Sequence, residues 1–193
     1  MKFAYRSIVA ALGLVFCGAA FAQAGTVQRD ENQQQRIEQG LQSGQLTTRE
    51  AGKLEREESR VERDQSRAMK DGNLSPAEKA RLAREQNQVS RDIYRQKHDA
   101  QTGNPNSASS QRMQGDVQRN INQQSRIEQG VKSGALTDHE AARLERGQAR
   151  DNRMEARAGA DGKVGAAEQR RIQKAENRQS RRIHREKHDA QKQ

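Results

Sequence analysis

The chain has 193 residues, with 36 Lys and Arg against 26 Asp and Glu and a formal net charge of +10. From residue 23 onward only 19 of 171 residues, about 11%, are Leu, Ile, Val or Phe. A chain with less than roughly 20% of these residues has difficulty in burying a hydrophobic core. This composition argues against a single large globular domain, and one cysteine excludes a disulfide scaffold.

The first element is a predicted signal peptide at residues 1–22, with cleavage after Ala22 or Ala24. It combines an early positive charge, an apolar run over residues 8–21 and small residues at the cleavage positions. The run is shorter than the roughly 20 apolar residues of a membrane span. Acylation of Cys17 in "LVFC" is an alternative. The sequence therefore predicts a periplasmic or secreted protein of a Gram-negative bacterium, without a membrane span in the mature chain.

An internal duplication follows. Residues 27–101 align with residues 117–191 without a gap, and 39 of the 75 positions are identical. We interpret the first stretch as repeat unit 1, residues 102–113 as a polar linker, and residues 114–191 as repeat unit 2. A duplicated unit of this length indicates a repeated structural module more than a catalytic site.

Helix-turn-helix junctions recur within each unit. Gly44 and Gly72 are suited to end a helix. A Ser or Thr follows as N-cap, with Glu three residues later to complete a capping box. These structural positions are Thr47, Glu50, Ser75, Glu78, Thr137 and Glu140; Gly165 replaces the cap before the last helix.

The junctions divide each unit into three helices. Their predicted ranges are 27–42, 48–70, 76–99, 114–132, 138–158 and 166–189. Pro is rare and Ala, Glu, Lys, Arg and Gln dominate, which favours helix over coil. The sequence thus predicts an all-α fold of two tandem three-helix units, extended or loosely packed, with no strands.

Thin apolar seams run along the helices. We define them by residues at helical spacing, namely Ala51, Leu54, Val61, Ala68, Leu82, Val89 and Ile93. Each seam is only one or two residues wide, as in helical hairpins or coiled coils. We therefore expect self-association or a protein partner to complete their burial.

The junctions "LTTRE" at residues 46–50 and "LTDHE" at residues 136–140 resemble the LTxxQ motifs of small exported proteins of the Spy and CpxP type. That resemblance implies a periplasmic, all-helical, cradle-shaped dimer linked to envelope stress and to chaperoning of unfolded proteins. The principal functional expectation is a non-enzymatic interaction protein, such as a stress chaperone or adaptor.

Metal binding is a minor alternative. His184 and His188 lie one helical turn apart, the spacing of two ligands on one face. "DGNLSPAE", from Asp71 to Glu78, resembles the second half of an EF-hand loop, but Arg67 and Met69 occupy the first and third ligand positions of that loop. The sequence predicts no cofactor and no catalytic group.

Charge distinguishes the two units. Residues 23–101 carry 15 Lys and Arg against 14 Asp and Glu, and residues 102–193 carry 19 against 12. The alternative function is therefore polyanion binding through the basic second unit, with lipopolysaccharide, acidic polysaccharide or DNA as ligand. The candidate residues are Arg170, Arg171, Lys174, Arg178, Arg181, Arg182, Arg185 and Lys187.

Overall fold

The computed structural model describes residues 17–189, with side chains from residue 24. Over this range the chain forms six α-helices and no strand, so the predicted all-α fold is confirmed. The helices are α1 (Cys17–Ser43), α2 (Thr48–Ala68), α3 (Pro76–Lys97), α4 (Ala108–Lys132), α5 (Asp138–Ala158) and α6 (Ala166–Lys187). Short 3-10 turns, Met69–Asp71 and Gly159–Asp161, extend α2 and α5.

Two helices begin earlier than predicted. α4 starts at Ala108 instead of residue 114, because Ser107 caps it: the Ser107 hydroxyl accepts the Ser110 amide at 3.1 Å. Half of the predicted linker is therefore helical. α1 starts at Cys17 and continues through both predicted cleavage positions, and residues 1–16 of the predicted signal peptide lie outside the described range.

The junctions form as their sequence predicts. The Thr47 hydroxyl accepts the Glu50 amide at 3.2 Å, while the Glu50 carboxylate accepts the Thr47 amide at 2.8 Å. The same capping box forms at Ser75 with Glu78 and at Thr137 with Glu140. At α6 half of the box remains, since the Gly165 amide donates to Glu168 at 2.8 Å. These caps satisfy helix amides that would otherwise lack partners.

The two units pack against each other inside one bundle, instead of being extended or loosely packed. α1 lies along α4 and α2 lies along α5, while α3 covers α1 and α2, and α6 covers α4 and α5. α2 and α5 are antiparallel, because Arg49 near the start of α2 donates to the Asp161 carbonyl just beyond α5 at 3.1 Å. At their crossing the Ser59 hydroxyl donates to the Ala149 carbonyl at 2.7 Å.

Ser59 and Ala149 are equivalent positions of the duplicated sequence, so a pseudo-two-fold axis passes through this crossing. Glu62 follows the same rule and accepts from Asn152, its own equivalent, at 3.0 Å. Gly52 lets the two helices approach closely because it has no Cβ; a Cβ added there would lie only 3.2 Å from the backbone of Gly159. The contact between the two duplicated units thus resembles the interface of a two-fold symmetric homodimer, but it lies within one chain.

The apolar seams are covered by this packing. Every seam residue is buried. The largest core cluster contains Ile37 and Leu54 from the first unit together with Val117 and Ile172 from the second. Each unit therefore supplies the apolar partner that the other unit lacks, which explains how so few large apolar residues support the bundle.

Candidate functional site

An open cleft on the second unit gathers several of the predicted cations. α6 contributes Arg178, Arg181, Arg182 and Arg185, which lie within two helical turns, and His184 and Ser180 complete its rim. α4 contributes Arg126, which donates to the Ser180 hydroxyl at 2.8 Å and to the Ser180 carbonyl at 3.2 Å. We call these residues the α6 basic surface.

The four α6 arginines of this surface are not neutralised by ion pairs among the described residues. Arg178, Arg181 and Arg185 are exposed and Arg182 is half-buried. The buried carboxyl of Asp151 lies close to Arg178 and Arg182; burial raises its pKa to about 7 even though these two arginines lower it. The surface therefore presents unpaired guanidinium groups, the side chains best suited to phosphate and sulfate.

The first unit provides a natural comparison at the equivalent cleft, formed by Arg36, Arg91, Arg95 and their neighbours. There, Arg95 forms an ion pair with Asp92, and Arg91 donates to the Gln88 side chain at 2.6 Å. In the second unit Arg182 stands in place of Asp92 and Arg178 in place of Gln88. These two substitutions remove the partners that Arg95 and Arg91 have in the first unit; His184 also replaces Tyr94.

The remaining predicted cations lie outside the cleft. Arg171 and Lys174 continue the exposed stripe of the cleft arginines toward the start of α6, and Arg170 is exposed beside them. Lys187 differs, because its side chain packs against Gly130, where an added Cβ would lie 3.3 Å from it, and burial lowers its pKa. The predicted set is therefore one extended surface, from which Lys187 is partly withdrawn.

A set of buried carboxyl groups lies in the interior of the bundle. It consists of Asp30, Glu55, Glu58, Glu62, Asp116, Glu145, Asp151, Glu155 and Glu176, which we call the carboxylate layer. Its hydrogen-bond donors are mainly amides: Gln34 donates to Glu55 at 3.0 Å and Asn120 to Glu155 at 2.9 Å.

Burial raises the pKa of each of these groups. The pKa of Asp30 rises from 3.8 to about 7, and that of Glu55 from 4.5 to about 8. Glu58, Glu62, Glu145 and Glu155 have a pKa raised well above the ordinary range, first by burial. Burial removes the water that stabilises the charged form, so neutral carboxyls are favoured.

The predicted metal positions are used for other contacts. The rings of His184 and His188 contact each other in a tilted arrangement with their centroids 4.2 Å apart, and His188 Nδ1 lies 2.6 Å from the His184 carbonyl oxygen. Asp71 accepts the Asn73 amide at 3.1 Å within its turn, and Glu78 completes a helix cap. Among the described residues, ligand-like spacing of three groups occurs at Glu140, Glu186 and Asp189 instead.

Sequence reasoning missed Arg126, the carboxylate layer and the arginines of α2 and α5. Arg126 lies in the duplicated sequence, and only the fold brings it to α6. Arg56, Arg60, Arg63 and Arg67 repeat every three or four residues, and this spacing is a signal that was present in the sequence. Glu55, Glu58 and Glu62 also follow helical spacing, but an acidic stripe on a helix usually faces solvent, so this spacing did not indicate that they are buried.

Comparisons with protein-family models, with curated proteins and with solved structures give no match. The resemblance to the Spy and CpxP type thus rests on the two junction motifs alone. Within residues 17–189, none of the helices has the length and apolar character needed to cross a membrane.

Proposed function

We propose that this protein binds polyanions through the α6 basic surface, without catalysis and after export from the cytoplasm. The observation that carries the proposal is the set of four unpaired arginines, Arg178, Arg181, Arg182 and Arg185, held on one helix face beside Arg126. The ligands are extended polymers bearing phosphate, sulfate or carboxylate groups, such as lipopolysaccharide phosphates, acidic polysaccharide or DNA.

This surface is suited to recognise the charged groups along the backbone of a polymeric ligand. Guanidinium groups bind phosphate and sulfate in a bidentate manner. Side chains for stacking bases are scarce, since aromatic residues make up 3% of the chain. Affinity should therefore depend on charge density more than on sequence, and it should fall steeply with salt.

The chaperone or adaptor function remains a prediction from the junction motifs. It relied on apolar seams being free for a partner, and these residues are buried within the bundle. Among the described residues, the one exposed large apolar side chain is Tyr94, at 59% exposure. A function that depends on an apolar client surface therefore has less support than one that depends on charge.

A heparin titration tests the proposal on the chain from residue 23 onward. The test variant, Arg178→Gln/Arg182→Asp, gives the second unit the residues of the first. We expect heparin affinity to fall about tenfold or more, and the salt dependence to weaken by roughly one contact per arginine. Charge reversal at Arg178, Arg181 and Arg182 should remove most of the remaining binding.

The matched control is Lys79→Gln/Arg84→Asp, which alters two exposed cations of α3 and lowers the net charge by three, as the test variant does. Binding that is insensitive to salt, or equal losses in the test and control variants, would contradict recognition by the α6 basic surface. Circular dichroism of each variant confirms that the helices remain intact.

A further inference from the structure

A second cluster of arginines lies where α2 and α5 cross at the pseudo-two-fold axis. The small residues Ser59 and Ala149 form the floor of a groove of about 290 Å³. Five guanidinium groups surround it: Arg63 and Arg67 come from α2, and Arg146, Arg150 and Arg153 come from α5. The groove exists only because the two sequence repeats pack together.

Most of these arginines have no acidic partner. Arg67 forms an ion pair with Asp64 at 3.0 Å, and Arg146 Nε donates weakly to the Ser66 hydroxyl at 3.4 Å. Arg63 Nε is buried without a hydrogen-bond partner. Bringing several guanidinium groups together around an unsatisfied buried donor is costly unless an anion compensates.

We propose that this groove binds a compact, multiply charged anion bearing phosphate or sulfate groups. Arginine forks from two opposing helices can hold such groups in a bidentate manner from both sides. The concave floor limits the ligand to a few such groups, unlike the open α6 basic surface. Because both sequence repeats supply donors, the bound anion clamps them together and stabilises the fold.

This site is separate from the α6 basic surface, although the two approach each other at Asp151: burial raises the pKa of this carboxyl, and Arg178, Arg150 and Arg182 partly oppose that rise. The inference goes beyond the proposed function and does not depend on it. The experiment is therefore performed in the Arg178→Gln/Arg182→Asp background, in which the α6 basic surface is already weakened.

Inorganic tripolyphosphate is the probe, and its binding is measured by calorimetry and by the thermal unfolding midpoint. We expect tripolyphosphate to bind and to raise the midpoint. Arg146→Gln/Arg153→Gln alters only exposed side chains of the second repeat and should weaken tripolyphosphate binding about tenfold or more. Arg63→Gln, in the first repeat, should also weaken this binding, because both repeats supply donors. Lys79→Gln/Arg84→Gln should leave it unchanged.

Three results would overturn the proposal: no binding of tripolyphosphate, undiminished binding by the groove variants, or an equal loss in the control. Vesicles containing phosphatidylglycerol distinguish the source of the phosphate. Binding to these vesicles without binding to tripolyphosphate would assign the arginines to a membrane surface and refute a compact soluble anion. A failure of heparin binding at α6 would leave these results intact, so the two proposals fail separately.

Discussion

Raising the pH is expected to unfold the protein by ionising the carboxylate layer. Glu55 has an ordinary pKa of 4.5, and burial raises it to about 8 in the folded chain. The folded state therefore holds a proton that the unfolded state releases. The stabilisation is complete below about pH 4.5 and is lost as the pH rises through about 8.

The loss of stability expected at high pH is large compared with the free energy of unfolding of an ordinary domain. At roughly 1.4 kcal/mol for each pKa unit, the difference for Glu55 amounts to about 5 kcal/mol above its folded pKa. Asp30, whose pKa rises from 3.8 to about 7, acts in the same direction. Because a domain is stable by roughly 5–15 kcal/mol, a few such groups suffice to remove most of the folding free energy.

The assay is urea unfolding followed by far-ultraviolet circular dichroism from about pH 5 to about pH 9. Glu55→Gln keeps an oxygen that can accept the Gln34 amide and removes the titration. We expect this variant to exceed the wild type in stability at high pH by up to about 5 kcal/mol. The control is Asp71→Asn, which alters an exposed carboxylate.

A free energy of unfolding that stays constant across this pH range would refute the reasoning. The reasoning would also be refuted if the stability of Glu55→Gln depended on pH as strongly as that of the wild type. Glu145→Gln offers an independent repeat at the equivalent position of the second unit.

Three further outcomes are expected in urea unfolding. Ser75→Ala should cost about 1 kcal/mol, since the Glu78 amide loses its cap, and an unchanged midpoint would contradict the capping box. Gly44→Ala should cost about 1–2 kcal/mol, because Gly44 has φ +73 and a Cβ would lie 2.9 Å from the Gly103 carbonyl; Gly115→Ala, with open space around it, is the control. Ile127→Ala should cost about 2–5 kcal/mol, and a smaller loss would mean that its cluster is not packed as described.

Local sequence signals predicted the helices because caps and turns are determined by adjacent residues. Thr47 with Glu50, and Ser75 with Glu78, mark helix starts whatever the surrounding fold. Ser107 caps α4 without a Glu three residues later, so α4 was predicted to begin too late. Residues whose role is decided within one turn of helix were therefore the most predictable.

The packing of the two units could not be predicted in this way. Glu55, Glu58 and Glu62 follow helical spacing, and a charged stripe of this kind normally faces water. Their burial depends on amides such as Gln34 and Asn152, which are distant in sequence. Likewise, Arg63 and Arg153 share a groove only because equivalent helices pair antiparallel.

The most direct test of the account is to move the α6 basic surface to the first unit. Gln88→Arg/Asp92→Arg is added to the Arg178→Gln/Arg182→Asp background, which leaves the net charge of the chain unchanged. Heparin affinity is then measured at low and high salt. We predict that the exchange restores affinity and salt dependence to nearly the wild-type level, because unpaired arginines on this helix face are sufficient. Affinity that stays at the level of the background variant would contradict the account.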